Sequence, residues 1–245
     1  MALRPDSPNP KPKRVYKAVA IVEQDGGFAA TLDGRTAKTP AGGRLITPTR
    51  ALAEAIGAEW AAQIDVIDVA AMPLTRLAFT ALDRASGAEG ALVQSLVRTA
   101  EADALCYFAE APQDLVSRQT AEWSPVLDWA AQALDLHFVR TTGVVHTPQP
   151  PETLARVAAL ARSLDGFSLT GLAFAAGLFE SAILGLAVQR KRLSGPDAFA
   201  LSRLEAAHQE ERWGVDAEAA ARTQGLYREA VAVEQWFEAL GRSWT

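Results

Sequence analysis

The chain has 245 residues, 49% of them hydrophobic and 22% charged, with a formal net charge of −5. That length buries a substantial core without disulfide or metal staples, and the acidic balance offers no electrostatic footprint for nucleic acid. A single cysteine, Cys106, excludes an internal disulfide framework and fits a reducing compartment.

Met1 to Lys13 carries four prolines and lacks the apolar run of a signal peptide, so it reads as a flexible tail. From Arg14 to Glu23 the pattern alternates, with Val15, Val19 and Ile21 on one face of a strand. Phe28 to Leu32 is a second strand, and Asp33-Gly34 a two-residue hairpin turn. Thr36 to Thr39 returns, and Leu45-Ile46 follows another turn. A helix then begins, with Thr47 as its cap and Pro48 in its first turn. Leu52, Ile56 and Trp60 form its apolar stripe. Ile64 to Ala70 is extended, and Pro73 opens a helix through Asp83.

Ser86-Gly87 marks a linker. Residues 14–85 form a β-rich N-terminal domain with flanking helices, and 86–245 a helical one. Helices are expected near 88–102, 113–134, 151–164, 168–190, 196–213 and 216–240. Pro125 kinks or divides the second of these. His137 to His146 leans towards β. The fold class is therefore α+β: a small antiparallel β domain followed by a larger all-helical one. Ser168 to Val188 is long enough for a membrane span, but Glu180 near its centre and three glycines favour a buried helix of a bundle.

Chemistry is sparse. There is no phosphate-binding loop and no Gly-x-Ser-x-Gly elbow. The three histidines, His137, His146 and His208, have no close ligand partners, so no metal and no cofactor are expected. Cys106 sits in an apolar stretch and reads as a structural thiol. Glu59, Glu101 and Asp103 are the carboxylates from which an enzyme or small-molecule site in a cleft could be built. Helix-surface solvation is the simpler account of them.

Leu204 to Gly214 differs. Glu205, Gln209 and Trp213 are four apart and so stack along one side of a helix. An aromatic, an amide and a charge in a row suit a protein interface rather than catalysis. The same spacing also admits Trp213 as core packing. Gly214 stops the helix and Asp216 caps the next.

In order along the chain stand Tyr16-Lys17, Leu32-Asp33-Gly34-Arg35, Thr39-Pro40, Glu59-Trp60, Gln63 and Met72-Pro73-Leu74-Thr75. They are followed by Asp103, Cys106-Tyr107, Leu115, Gln119, Trp123-Ser124-Pro125 and Trp129. Leu204-Glu205, Gln209 and Trp213-Gly214 come last. Together these resemble the chaperone family of ATP synthase mitochondrial F(1) complex assembly factor 2, which acts on the α subunit.

The resemblance implies a non-enzymatic chaperone that binds the unassembled α subunit and keeps it from aggregating until β replaces it. It implies partner-binding roles for Glu205, Gln209 and Arg212, with the functional acidic residue at Glu205. Asp33, Gly34, Arg35, Trp60, Trp213 and Gly214 are expected to be structural. Trp213 should be at least partly buried, fastening its helix to the domain. No nucleic acid partner and no stable membrane insertion are expected. The absent targeting segment points to a bacterial cytoplasm, with the mitochondrial matrix for eukaryotic relatives.

Overall fold

The computed structural model describes residues 11–83, 87, 89–214 and 216–241. Of the expected tail, residues 1–10 lie outside that description, as does Ser86 of the expected linker. The described residues group into two compact units, one up to Phe79 and one from Thr80 onwards.

The first unit is built on β1 (Val19–Gln24), β2 (Gly27–Leu32), β3 (Arg35–Thr36) and β4 (Ile46–Thr47). β1 pairs antiparallel with β2 from Val19↔Leu32 to Gln24↔Gly27. β3 and β4 pair with opposite ends of β2. The β2–β3 turn has φ of 48° at Asp33 and 79° at Gly34. Glycine meets that requirement without a Cβ penalty, and aspartate is one of the few residues with a side chain that tolerates it. The Asp33 carboxylate then reaches back to the N–H groups of Lys17 and Ala18, at 3.1 and 2.8 Å. These amide bonds, Ala18 first, hold its carboxyl below the usual range.

The strand expected from Arg14 begins only at Val19 for this reason. The amides of Lys17 and Ala18 serve a side chain instead of a sheet ladder. Val15 is exposed and Tyr16 is the buried residue. Pro12, expected in the flexible tail, is held by the backbone, as is Arg14 just after the tail. Ile67 donates to the Pro12 carbonyl at 2.8 Å and Arg14 to that of Asp65 at 2.9 Å.

α1 (Arg50–Ala61) lays Leu52, Ala53, Ile56 and Trp60 against the sheet. Its cap is Thr49, whose hydroxyl accepts from the Leu52 N–H at 3.2 Å, not Thr47 as expected. Thr47 is buried, and its hydroxyl donates to the Phe28 carbonyl at 3.1 Å. α2 (Pro73–Asp83) follows a short 3₁₀ turn.

The second unit contains α3 (Glu89–Glu101), β5 (Tyr107–Phe108), α4 (Gln113–Leu134), β6 (Thr141–Thr142), α5 (Pro151–Arg162) and α6 (Gly166–Phe179). It continues with α7 (Ala182–Gln189), α8 (Gly195–Ser202), α9 (Leu204–Trp213) and α10 (Ala217–Leu240). β5 and β6 form a two-residue parallel ladder, which adds a trace of β to a helical unit. Pro125 lies inside α4 without dividing it.

α7 is buried along its whole length and packs on α6, α8, α10, α3 and α4. Trp236 of α10 is fully buried, stacks on Phe167 at 5.7 Å and donates to the Phe167 carbonyl at 3.2 Å.

Two of the expected helices prove to be pairs. The one at 168–190 breaks at Glu180, which is exposed with φ of 54°. Ser181 then caps α7 through the Leu184 N–H at 3.0 Å. A serine cap beside a residue able to turn left-handed restarts the helix in a new direction, and Glu180 stays in solvent. Among the described residues no helix is long and apolar enough to cross a membrane. The helix at 196–213 breaks at Arg203, where φ and ψ are −106° and 9°. That break lets α9 set its own orientation.

Candidate functional site

α9 places two residues, Leu204 and His208, in the core. At roughly 100° of rotation per residue, Glu205 lies about 100°, Gln209 about 140° and Trp213 about 180° from Leu204. All three are exposed. The expectation that Trp213 is partly buried is therefore overturned: it is 86% exposed. Nine residues from Leu204 bring the indole to the opposite face of the helix from its buried side. The stripe read from the spacing exists, and it faces solvent to its aromatic end.

α9 packs against α4, and charge pairs cross between the two. Arg212 donates to the Asp114 carboxylate at 2.8 Å. His208 Nε2 is 3.4 Å from the same oxygen, outside hydrogen-bond geometry. Partial desolvation raises Asp114, but the Leu115 amide, Arg212 and His208 together outweigh it and hold the carboxyl below its usual range. Arg118 reaches Glu211 and Glu122, each at 3.1 Å, and these bonds raise its guanidinium further above its ordinary value. Arg203 lies 3.8 Å from Glu210. Exposed pairs of this kind are worth ~0–1 kcal/mol each. Their main effect is to neutralise the rim of the stripe.

Glu205 is different, because its partner is a neutral amide. Gln119 of α4 is fully buried, and its Nε2 donates to Glu205 Oε1 at 2.6 Å. Its Oε1 accepts from the Ala109 N–H at 2.7 Å. The second bond fixes which end of the amide is the donor. Gln119 thus joins the end of β5 to α9 and holds one oxygen of a surface carboxylate from beneath. Among the described residues nothing pairs with the other oxygen, and no cation pairs with Glu205. Trp123, one turn after Gln119, ties α4 to the end of α8 by donating to the Leu201 carbonyl at 3.1 Å.

The remaining motif residues serve the frame. Asp33 and Gly34 make the β2–β3 turn, and Arg35 opens β3 with its side chain in solvent. Trp60 is buried, its ring edge-on to Tyr16 at 5.9 Å, and the Tyr16 hydroxyl donates to its carbonyl at 2.7 Å. Gly214 ends α9 with φ of 81°. Asp216 caps α10 through the N–H groups of Glu218 and Ala219, at 2.8 and 3.0 Å.

Of the three carboxylates considered for catalysis, Glu101 is exposed at the end of α3, and the other two are engaged in capping. Glu59 accepts from the N–H groups of Leu74 and Thr75, both at 2.8 Å, and from the Thr75 hydroxyl at 2.7 Å. Burial raises its carboxyl against the pull of these donors. Asp103 is fully buried and accepts from Leu105 at 3.2 Å and Ile183 at 3.0 Å, so it holds the start of α7. Burial pushes its carboxyl up to about 6, opposed by Ser181 and the backbone amides. Burial, with Asp103 nearby, also raises the Cys106 thiol, which leaves it a poor nucleophile. Among the described residues no group of three or more His, Cys, Asp or Glu side chains could hold a metal ion.

Gln119, Asp114 and Arg118 are not among the partner-binding residues expected from the sequence. A signal for Gln119 was present. It sits four residues from both Leu115 and Trp123 in the buried stripe of α4, where a polar side chain needs a partner.

The family described as ATP12 chaperone protein matches residues 13–131. The crystal structure of Atp12 from Paracoccus denitrificans is similar with a TM-score of 0.86 at 40% sequence identity, over 93% of this chain and 98% of that one. A mutant of P. denitrificans Atp12p matches with the same TM-score and identity, over 97% of its chain. Protein atp12, mitochondrial, of Schizosaccharomyces pombe is 26% identical over 223 residues, 85% of this chain and 76% of the relative.

Proposed function

We infer that this chain, which belongs to the ATP12 chaperone family, is a non-catalytic assembly chaperone of ATP synthase. It binds the unassembled α subunit of the F(1) sector and keeps it from aggregating until the β subunit replaces it. The observation that carries this reading is the 40% identity to P. denitrificans Atp12 across nearly the whole of both chains.

The physical task is specific. An unassembled ring subunit exposes apolar interface that aggregates unless covered. Its cover must be weaker than the final partner, which calls for polar groups mixed into apolar contact. On the exposed edge of α9, Glu205 and Gln209 supply such polar groups. Arg212, third of the partner-binding residues, already pairs with Asp114 and would have to exchange that pair for one with the client. The setting is a bacterial cytoplasm, with the mitochondrial matrix as the counterpart for eukaryotic relatives.

The test is light scattering by purified α subunit on incubation. Scattering should fall as this protein is added, and the α subunit should be released when β is supplied. Unchanged aggregation over a range of ratios refutes the reading.

A further inference from the structure

Among the described residues of the second unit, Trp213 is the largest exposed apolar side chain, and no hydrogen bond or ring contact holds it. A tryptophan left 86% exposed forgoes the burial that gives the ring its stabilising value. The first turns of α10, from Ala217 to Arg222, contain no buried residue. Large exposed aromatics beside a polar rim are the composition of interface centres, where tryptophan is enriched.

The charges around the stripe narrow the partner. Asp114 takes Arg212, Glu211 takes Arg118, and Glu210 faces Arg203. Glu205 alone on α9 has a buried amide in place of a cation. One carboxylate oxygen is held from below and the other is open to solvent. A partner seated on this stripe gains most by bringing a cation to that oxygen. The eight residues from Glu205 to Trp213 rise roughly 12 Å at 1.5 Å each.

We propose that the outward stripe of α9 is a two-point docking surface. Trp213 inserts into an apolar recess of the client, and Glu205 takes a client arginine or lysine roughly 12 Å away. This rests on the reading that the client is the F(1) α subunit. It adds an aromatic anchor, which the fold itself does not use, and the sign of the charge beside it. Gln119 acts as a positioning residue by holding one oxygen of the Glu205 carboxylate from beneath. The charges around the two points are already paired within the chain.

The experiment uses the full chain and purified α subunit, with affinity measured by titration and thermal unfolding recorded for each variant. Trp213→Ala should weaken α-subunit binding roughly thirtyfold, the loss expected of an interface anchor. Trp213→Phe should recover part of it, and both variants should unfold at the wild-type temperature. Glu205→Gln should weaken binding and flatten its dependence on salt, because the partner's cation loses its charge mate.

Wild-type binding to α that Trp213→Ala leaves unchanged overturns the proposal while the chaperone reading stands. No binding of α by the wild-type chain overturns the chaperone reading, and the proposal falls with it. Concentration-dependent dimers that Trp213→Ala abolishes, with α binding intact, would assign the ring to a second copy of this chain and likewise overturn the proposal.

Discussion

Replacing Gln119 by glutamate changes one end of one buried side chain and keeps its shape. The Ala109 N–H, now at 2.7 Å from the amide oxygen, retains an acceptor. The donor 2.6 Å from Glu205 becomes a second carboxylate oxygen. A hydrogen bond to a charged group is worth ~1.5–3 kcal/mol. The new repulsion, for charges about 4 Å apart, lies between ~1 kcal/mol in water and ~4 kcal/mol at an effective dielectric of 20. Because Glu205 is exposed, the lower end applies, and the expected cost at pH 7.5 is about 3 kcal/mol. For a domain of this size that lowers Tm by roughly 6–12 °C.

The loss should depend on pH. Two carboxylates in contact share a proton, so the pair's folded-state pKa is raised above its unfolded value. Stability relative to wild type is then fully present below the unfolded pKa and is lost as pH rises through the folded one. Urea unfolding followed by circular dichroism at pH 4.5 and 7.5 reads both quantities. The exchanged pair, Gln119→Glu with Glu205→Gln, puts an amide back against a carboxylate and should recover at least half of the loss at pH 7.5. The reasoning fails if Gln119→Glu unfolds within 0.5 kcal/mol of wild type at pH 7.5, a margin of about the usual scatter for surface changes. It also fails if the exchanged pair is no more stable than the single variant.

Glu205→Lys leaves the buried Gln119 amide without its acceptor and should cost about 1–3 kcal/mol in chemical denaturation, whereas Glu205→Gln, which can still accept, should cost less. A binding defect common to both is therefore one of recognition. Asp103 has a folded-state pKa raised to about 6 from 3.8, so its contribution is present at low pH and declines as pH rises between those values. Asp103→Asn should gain on wild type by up to about 3 kcal/mol from pH 4 to pH 7 in the same titration, and parallel curves would show that the carboxyl is not shifted. Gly195→Ala would place a Cβ 2.1 Å from the Ala230 carbonyl oxygen, where backbone meets backbone between α8 and α10. It should destabilise by about 1–3 kcal/mol or more, and a wild-type Tm would refute that packing.

Local signals in the sequence determined much of this protein. Asp33-Gly34 fixes a turn because few residues accept two positive φ values in succession. Pro73 starts α2, and the bounds of α4 coincide with the apolar period read from Gln113 to Leu134. The four-residue spacing of Glu205, Gln209 and Trp213 placed them on one side of a helix, because helical rotation is a property of the backbone alone. Tertiary structure decided which way that side faces. The break at Arg203 and the docking of Leu204 and His208 in the core set the rotation of α9, and Trp213, nine residues from Leu204, is thereby turned outward. The partners of the key polar groups were equally hidden. Gln119 meets Glu205 across 86 positions, and Asp103 meets Ile183 across 80. Such bonds form only once packing has brought distant helices together and removed the water that would otherwise satisfy them.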